Sequence, residues 1–335
     1  MNDLKGYDSM ANIKDVAKKA GVGIATVSRV INDSGYVKKE TRERVMKVIA
    51  DIGYVPNEIA RSMTKQKTDV VAVILPNSTH LFFGELLYHL EEELFDLGYK
   101  VMLCNSSERI EKEIVYLDML KNNKVDAVML LTNNDIEQYL RKDLPIVSFD
   151  RRFEGVPYVA SDNYNGGELA AERLLNHGCK RLMFIGDDAQ GDNTPVVTEV
   201  SHRRIGFTNY IKKHGDFDVI NVEYPLGDYI VSQEEVHQLI SDDPEIDGVF
   251  AISDAVAMAV IKELEKSGKR VPEDVKVIGF DGGRSFLNLG KRITSISQDS
   301  KKVAKAVSEI IEGFLGHGKI ENKIIPVHIE EGETA

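Results

Sequence analysis

From Asp69 onward the sequence alternates between short apolar runs and amphipathic stretches of helical period, and this alternation constrains the fold more than any other feature. The apolar runs are nearly continuous, which is typical of parallel strands buried on both faces. The runs are 70–75, 100–104, 125–131, 145–149, 181–186, 248–253 and 275–280. The pattern therefore predicts an α/β body built of parallel sheets.

This body, about 265 residues long, exceeds what one doubly wound sheet usually needs. We therefore predict two similar lobes over residues 69–332, with a binding site between them. The chain is expected to cross between the lobes near 161–165 and to return near 294–299. The N-terminal lobe then comprises about 69–162 and 298–322, and the C-terminal lobe comprises about 163–297 and 323–332.

Residues 12–53 have a different pattern, which predicts three short helices. Asn12 can cap the first helix, Gly21 stops it, and the second helix runs from about Ile24 to Asn32. The third spans about 39–52, where apolar residues recur at helical spacing and a glycine follows in the C-terminal cap position. We predict a helical head over 11–56, preceded by a disordered extension over 1–10.

Electric charge divides the chain at the same place. The formal net charge of -12 argues, taken alone, against a nucleic-acid partner. Between Met10 and Thr68, however, twelve Lys and Arg stand against six Asp and Glu. A basic head on an acidic body is expected when one segment contacts phosphates and the remainder has another task.

Gly21 and Gly23 at first allow two interpretations. A dinucleotide-binding fingerprint needs a strand followed by G-x-G-x-x-G. Here a helix precedes Gly21, and Thr26 occupies the position of the third glycine, so the fingerprint is not met. A helix, a tight turn and a second helix with exposed small and basic residues instead predict a helix-turn-helix, whose second helix enters the major groove of DNA.

A short linker over 57–68 separates the head from the body. Pro56 ends the third helix, and Asn57 can cap a helical turn that extends to about Met63. Such a turn is too short to be stable alone in water. We therefore predict a hinge helix that forms only under some conditions.

Other function classes lack their signals in this sequence. No window approaches eighteen consecutive apolar residues and no signal peptide is recognisable, so we expect a cytoplasmic protein without a membrane partner. Two cysteines without metal-like spacing argue for a reducing compartment and against zinc. Because no G-x-S-x-G elbow, Walker A loop or paired metal-ligand motif occurs, we expect no enzyme, no cofactor and no metal.

Four motifs of the head and linker, at 13–22, 26–32, 41–45 and 53–61, resemble the lactose repressor family of bacterial transcription regulators. The likeness continues to about residue 330. It implies a two-lobed, periplasmic-binding-protein-like core of parallel sheets behind a small all-α helix-turn-helix head. Two positions depart from the family pattern: Gly23 replaces the usual Ser before the recognition helix, and Met63 stands where the family usually has Leu.

The resemblance implies which residues contact DNA. Arg29 can place two donors on guanine O6 and N7, worth roughly 1–3 kcal/mol of base discrimination. Ile24 and Ala25 can offer apolar contact to a thymine methyl. The hinge helices of two subunits are implied to pair in the minor groove, with Met63 as an apolar wedge. The predicted DNA contacts are Ile24, Ala25, Thr26, Ser28, Arg29, Asn32, Tyr36, Asn57, Ala60, Arg61 and Met63.

The resemblance also implies an effector site between the lobes. One of Phe82 and Phe83 would stack on the apolar face of a ring, while the other packs in the core. Aspartates would accept hydrogen bonds from ligand hydroxyls, and Arg203 would donate in a fixed fork. The predicted effector contacts are Phe82, Phe83, Asp150, Arg151, Arg203, Tyr229, Ser253, Asp254, Asp281 and Gln298.

These features predict a homodimeric transcription repressor that binds a pseudo-palindromic, double-stranded DNA operator under the control of a small molecule. Motifs such as 104–106, 149–151 and 279–283 look most like those of sucrose and related sugar-operon repressors. A purine corepressor and a phosphorylated partner protein stay open as alternative signals within the family. Outside it, the alternatives are a cytoplasmic sugar-binding protein without DNA function, which the basic head disfavours, and an enzyme.

Overall fold

The computed structural model describes residues 11–55, 67–187, 198–215, 217–224, 233–283, 292–316 and 318–335. The chain divides into two compact units, which meet in sequence between Thr68 and Asp69. The predicted extension over 1–10 and most of the predicted hinge lie outside the described residues.

The head contains the three predicted helices, α1 (Ile13–Ala20), α2 (Ile24–Ile31) and α3 (Lys39–Ile52). Asn12 accepts from the backbone N–H groups of Lys14 and Asp15, and the Asp15 carboxylate accepts from the Asn12 N–H. Gly21 ends α1 in the left-handed region, where a side chain would be strained. Local capping signals therefore fix both ends of α1.

Six small side chains form the core of the head, which leaves its charged groups at the surface. The buried residues are Val16, Ala17, Ala20, Val27, Val30 and Val45. These come from all three helices, so each helix buries one face. A core of this size supplies little stabilisation, and the angle between α1 and α2 depends on few contacts.

The second unit contains twelve described strands and seven α-helices. The strands are β1 (Val70–Leu75), β2 (Lys100–Asn105), β3 (Ala127–Leu130), β4 (Ile146–Phe149), β5 (Tyr158–Ser161), β6 (Arg181–Asp187), β7 (Asp218–Tyr224), β8 (Gly248–Ala251), β9 (Lys276–Asp281), β10 (Thr294–Ser297), β11 (Lys323–Ile325) and β12 (His328–Glu330). The helices are α4 (Leu81–Asp96), α5 (Ile110–Lys121), α6 (Asn163–Asn176), α7 (His202–His214), α8 (Gln233–Asp242), α9 (Asp254–Lys266) and α10 (Ser300–Phe314).

The strands form two six-stranded sheets, one in each lobe. Their orders are β11-β5-β4-β3-β1-β2 and β12-β10-β9-β8-β6-β7. All described pairings are parallel except that of β12 with β10, which is antiparallel. The prediction of two lobes with parallel sheets is confirmed, and β12 is an antiparallel edge that the sequence pattern did not indicate.

The chain crosses between the lobes three times, and the third crossing corrects a predicted boundary. The crossings follow β5, β10 and β11. Residues 323–325 pair with β5, with Ile324 opposite Ala160, so they belong to the N-terminal lobe and not to the C-terminal lobe. The C-terminal lobe also extends beyond 332, because the Val277 N–H donates to the Thr334 carbonyl.

Helices cover both faces of each sheet, and this double layer buries the apolar runs. Cys104 and Cys179 lie inside these layers, where burial raises the pKa of both thiols. Throughout the described part of the chain, no helix combines the length and apolarity needed to cross a membrane. The same residues contain no cluster of His, Cys, Asp and Glu that could hold a metal ion.

Candidate DNA-binding surface and effector cleft

Helix α2 presents its predicted contact residues outward because its opposite face is held in the core of the head. Val27 and Val30 are buried. Ile24 is 45 % exposed, and Ala25 and Arg29 are also exposed. An exposed isoleucine and arginine on one short helix give this face the apolar and cationic groups that base edges require.

The C-terminal end of α2 is fixed by side-chain contacts. Asn32 donates through Nδ2 to the Ser28 hydroxyl at 3.3 Å. Arg42 of α3 forms an ion pair with Asp33 at 2.7 Å and reaches the Val30 carbonyl at 3.5 Å. Arg42 therefore connects α3 to the end of the recognition helix.

The other predicted DNA contacts differ in their exposure, and some lie outside the described residues. Thr26, Ser28 and Asn32 are half-buried, while the Tyr36 side chain is 86 % exposed on the loop after α2. The remaining predicted contacts lie outside the described residues. These are Asn57, Ala60, Arg61 and Met63.

In the core, Arg203 owes its position to a close approach between α6 and α7. A Cβ atom built on Gly206 would lie 2.0 Å from the Tyr164 carbonyl oxygen, and one on Gly167 would lie 2.1 Å from the Arg203 carbonyl oxygen. Only glycine fits at either position. The two helices therefore pack backbone against backbone, which brings the Arg203 side chain beside Asn163 at the start of α6.

The Arg203 guanidinium is buried and held by several groups. Its Nε donates to Asn163 Oδ1 at 2.8 Å, and its Nη1 donates to the Ile252 carbonyl at 2.7 Å. The guanidinium carbon lies 3.5 Å from the centre of the Phe280 ring, and Nη1 lies 3.9 Å from Asp281 Oδ1. The Arg203 guanidinium is thus held in one orientation, with the direction of its N–H donors fixed.

Asp150 follows β4 at the carboxyl end of the first sheet, where its backbone has a φ of 50°. Its Oδ1 accepts from the Ser161 N–H at 3.1 Å and from Asn163 Nδ2 at 3.2 Å. Burial raises the pKa of this carboxyl to about 6, against the opposing effect of Arg203. Asp150 therefore contacts residues on both sides of the first crossing.

Asp281 ends β9 and is the centre of a chain of contacts between the lobes. Gln298 donates through Nε2 to Asp281 Oδ1 at 2.6 Å, and Ser161 donates to Gln298 Oε1 at 2.6 Å. His80 Nε2 of the N-terminal lobe lies 3.8 Å from Asp281 Oδ2. Burial raises the pKa of Asp281 and lowers that of His80.

Ser253 and Asp254 are engaged within the C-terminal lobe. The Ser253 hydroxyl caps α9. Asp254 accepts from the Gly283 N–H at 2.9 Å and from the Ser295 hydroxyl at 2.6 Å, and so connects the ends of β9 and β10. Burial and the nearby Asp281 raise the pKa of Asp254 to about 8. These contacts give both residues a structural role, and their effector contact stays a prediction.

Phe82 and Phe83 have different surroundings. Both side chains are buried in the core of the N-terminal lobe, and the Phe82 ring is stacked on Phe149, at 6.0 Å between ring centres. The Phe83 ring lies 4.5 Å from that of His80, beside the chain of contacts between the lobes. Phe83 is therefore the better candidate of the two for a ligand contact.

Arg151 is directed into the N-terminal lobe rather than toward Arg203 and Asp281. Its Nη1 donates to the carbonyls of Thr132 and Asn134. The Thr132 hydroxyl in turn donates to the fully buried Glu113 at 2.7 Å. Arg151 thereby fixes the loop after β3, next to Asp150. Tyr229, the remaining predicted effector contact, lies outside the described residues.

Several residues that join the lobes were not among the predicted site residues. His80 and Asn163 contact Asp281 and Asp150, as described above. Arg152 pairs with Glu199 of the C-terminal lobe at 2.6 and 3.0 Å. His80 begins the segment that contains Phe82. Its position as a polar residue shortly after a strand is the signal that could have identified it.

Comparison with known proteins agrees with this architecture. Residues 12–57 match the family model described as bacterial regulatory proteins, lacI family. Residues 68–328 match the model of periplasmic binding proteins and the sugar binding domain of the LacI family. Together these two matches cover both units of the chain.

Relatives and a solved structure match nearly the full length. The chain is 33 % identical to the sucrose operon repressor of Streptococcus mutans, over 97 % of this chain and 99 % of that protein. It is 35 % identical to the ribose operon repressor of Bacillus subtilis, over 91 % and 92 %. The lac repressor dimer bound to operator and an anti-inducer has the same fold, with a TM-score of 0.82 at 19 % identity, over 97 % of this chain and 99 % of that one.

The exposed face of α2 has the composition of a base-reading helix, and the core places ionisable groups of both lobes together. The family matches assign these two features to one kind of protein. The chain belongs to the lacI family of bacterial regulatory proteins, and it is a DNA-binding transcriptional repressor and not an enzyme.

Proposed function

We propose that this chain represses a sugar-utilisation operon as a cytoplasmic homodimer, and that a sugar bound between the lobes controls its affinity for a pseudo-palindromic operator. The observation that carries the proposal is the convergence of Asp150, Arg203 and Asp281 at the carboxyl ends of the strands. Carboxylates and a fixed guanidinium are the acceptors and donors that sugar hydroxyls need. The similarity to sucrose and ribose operon repressors supports a sugar over other ligands.

Contacts between the lobes supply the means of control. His80 with Asp281, and Gln298 with Asp281, join groups on the two sides of the crossings. A sugar that inserts among these groups exchanges some of the contacts for its own. Because a ligand shifts a conformational equilibrium only by its differential affinity, a preference of a few kcal/mol between two lobe arrangements is sufficient.

Exposed apolar side chains support the homodimer. Tyr88 and Phe95 on α4, Leu103 on the edge strand β2 and Val115 on α5 are all exposed, at 59, 67, 42 and 62 %. Large apolar side chains gathered on neighbouring elements are typical of protein interfaces. Two copies joined at this face would present two heads to the two halves of a symmetric operator.

A binding assay with the full-length protein tests the proposal. Fragments of the source genome are screened for retention, and the affinity for a retained fragment is then measured by fluorescence anisotropy with ribose, sucrose or hypoxanthine. We expect a sugar to change the operator affinity at least tenfold. Failure to retain any fragment, or a response to hypoxanthine alone, would contradict the proposal.

Two matched variants separate sensing from DNA binding. Arg203→Lys keeps a positive charge but removes the planar fork, so operator affinity should persist while the response to sugar is lost. Arg181→Lys makes the same change in a surface ion pair with Asp218 and Asp243, and it should keep the response. Equal responses in the two variants would remove Arg203 from the effector site.

A further inference from the structure

We infer that the effector is an uncharged sugar and not a sugar phosphate. The inference rests on the proposed function and narrows its ligand class. Three features of the core carry it: the balance of charged side chains at the cleft, the engagement of its guanidinium groups, and the state of the helix N-termini beside the crossings.

Carboxyl groups outnumber cationic groups among the described residues of the cleft. Asp150, Asp254 and Asp281 are all more than nine-tenths buried there, and Arg203 is the guanidinium that lies among them. Burial raises the pKa of all three carboxyls, to about 6 for Asp150 and to about 8 for Asp254. A phosphate monoester would bring a charge of about -1.5 to -2 beside these carboxyls, with one guanidinium among them to balance it.

The guanidinium groups near the cleft already donate part of their N–H groups to the protein. Arg203 donates to Asn163 and to the Ile252 carbonyl, and its face covers Phe280. Arg151 donates to two backbone carbonyls of the N-terminal lobe. Phosphate recognition in proteins usually depends on several cationic or N–H donors directed at one anion, and these two groups are not arranged in that way.

Helix N-termini are the other common phosphate site, and three of those beside the strand ends, at α6, α9 and α10, are occupied by the chain's own oxygens. Helices α4 and α7 begin without a side-chain cap. Asp162 accepts from the N–H of Asn165 at the start of α6. Asp299 accepts from the N–H of Lys302 at the start of α10. Ser253 caps α9, and the Asp254 carboxyl lies in its first turn. An incoming phosphate would meet carboxylates at these positions instead of free N–H groups.

A neutral polyol fits the same groups. The protein donors Ser161 and Asn163 reach Oδ1 of Asp150, and Gln298 reaches Oδ1 of Asp281. An ionised carboxylate has about four lone-pair sites, so each group can also accept from a ligand hydroxyl. The Phe83 ring, near His80, adds an apolar face. These acceptors favour hydroxyl donors and disfavour anions.

Calorimetric titration of the full-length protein tests the inference with two matched pairs: ribose with ribose 5-phosphate, and sucrose with sucrose 6-phosphate. We expect the free sugar of the responding pair to bind at least tenfold more tightly than its ester at pH 7.5. An ester that binds as tightly as the free sugar and changes operator affinity would overturn this inference and leave the proposed function intact. If neither member of either pair binds, both are rejected.

Charge-neutralising variants test the physical cause. Asp281→Asn removes a carboxyl group from the cleft. The ratio of the affinity for the free sugar to the affinity for its phosphate ester should therefore fall at least threefold. Asp118→Asn makes the same change in a surface pair with Lys121 and should leave the ratio unchanged. Asp150→Asn provides a second test if Asp281→Asn does not fold. An unchanged ratio in a folded cleft variant would overturn the electrostatic argument.

Discussion

The recognition helix of the head and the cleft of the core use their side chains in opposite ways. On α2 the predicted contact residues Ile24 and Arg29 are exposed, and the helix itself depends on Val27 and Val30 on its other face. In the cleft, Arg203 and Asp281 are buried and bonded to other parts of the core.

The difference follows from the size of the partner. A duplex can contact only an outer surface, so residues that bind it need not support the fold. A small molecule can be enclosed, so the groups around it also hold the lobes together when no ligand is present. Substitutions of the exposed contact residues of the head should therefore alter DNA binding without altering stability, whereas substitutions of the cleft residues should alter both.

The largest effect on stability is expected at Gly206, because the packing there both stabilises the core and positions Arg203. Gly206→Ala places a Cβ atom against the Tyr164 carbonyl and forces α6 and α7 apart, which displaces Arg203. The free energy of unfolding should fall by about 3 kcal/mol, the upper part of the range for overpacking. Chemical denaturation measures the loss, and titration should show a matching loss of sugar affinity.

Gly84→Ala is the control for this change. Its new Cβ atom would have only an ordinary contact, at 3.8 Å from the Ser78 carbonyl oxygen, within α4. Alanine in a helix should stabilise the chain by about 0.5–1 kcal/mol. Equal outcomes in the two glycine variants would show that the approach of α6 to α7 is not what positions Arg203.

In the head, Arg29→Ala should separate binding from stability. Loss of a bidentate contact to guanine should cost about 1–3 kcal/mol of operator affinity and relax discrimination at that base. The thermal midpoint should change little, because the side chain is exposed. Anisotropy with matched and substituted operators measures the first quantity and calorimetry the second.

Arg44→Ala removes the same charge from the exposed surface of α3. It should weaken binding to all sequences alike, if at all, because a phosphate contact carries no base information. Arg29 would lose its assignment if the two variants had the same sequence preference.

The stability of the core should depend on pH through Asp254. The pKa of Asp254 is about 8 in the folded chain, above its ordinary value of 3.8, so the folded state holds this proton more tightly. Its stabilising contribution is therefore present below about pH 4 and is lost as pH rises toward about 8. Asp254→Asn keeps the neutral shape, so its stability relative to wild type should rise by about 2 kcal/mol between about pH 6 and about pH 8.

Asp274→Asn is the control. The Arg270 side chain holds the pKa of Asp274 far below its ordinary value, so this carboxyl is ionised in both folded and unfolded states across the same window. The difference between this variant and wild type should not change with pH. If the stability difference between Asp254→Asn and wild type also did not change with pH, Asp254 would not be a buried carboxyl that is protonated at neutral pH.

The smallest effect is expected at the start of the recognition helix. Gly23 precedes α2 and provides no side-chain cap. Gly23→Ser supplies a hydroxyl for the first free N–H groups, which should stabilise the head by about 0.3 kcal/mol. Hydrogen exchange of the α2 amides measures this gain. Gly23→Ala has no side-chain oxygen, so it should not slow the exchange of the α2 amides. Equal protection of these amides in both variants would show that the introduced hydroxyl does not cap α2.

The sequence predicted the head more accurately than the core because the signals of the head are local. Asn12, Gly21 and Gly53 mark helix ends through contacts within a few residues, and each boundary was predicted to within one residue. The seven apolar runs predicted seven strands for a similar reason. Continuous burial on both faces leaves a signal in the sequence itself.

Five strands were missed because their pairing depends on distant partners. Strand β7 lies at a sheet edge and carries polar residues, and β11 and β12 have three residues each. The boundary at 322 was wrong for the same reason, because Ile324 lies opposite Ala160, far away in the sequence.

The cleft was predicted in outline only. Motif position indicated Asp150, Arg203 and Asp281, which the structure brings to the same end of the two sheets. It could not indicate that Asp254 and Arg151 are directed at neighbouring backbone, since that depends on side-chain orientation after folding.

The two cysteines have a practical consequence for measuring how the lobes move. Cys104 and Cys179 are each 2 % exposed, one in each lobe, and burial raises the pKa of both thiols. Thiolate is the reactive form, so both should resist maleimide dyes in the native protein. A fluorophore pair attached to two engineered surface cysteines could therefore report lobe closure, molecule by molecule, in an otherwise unaltered repressor.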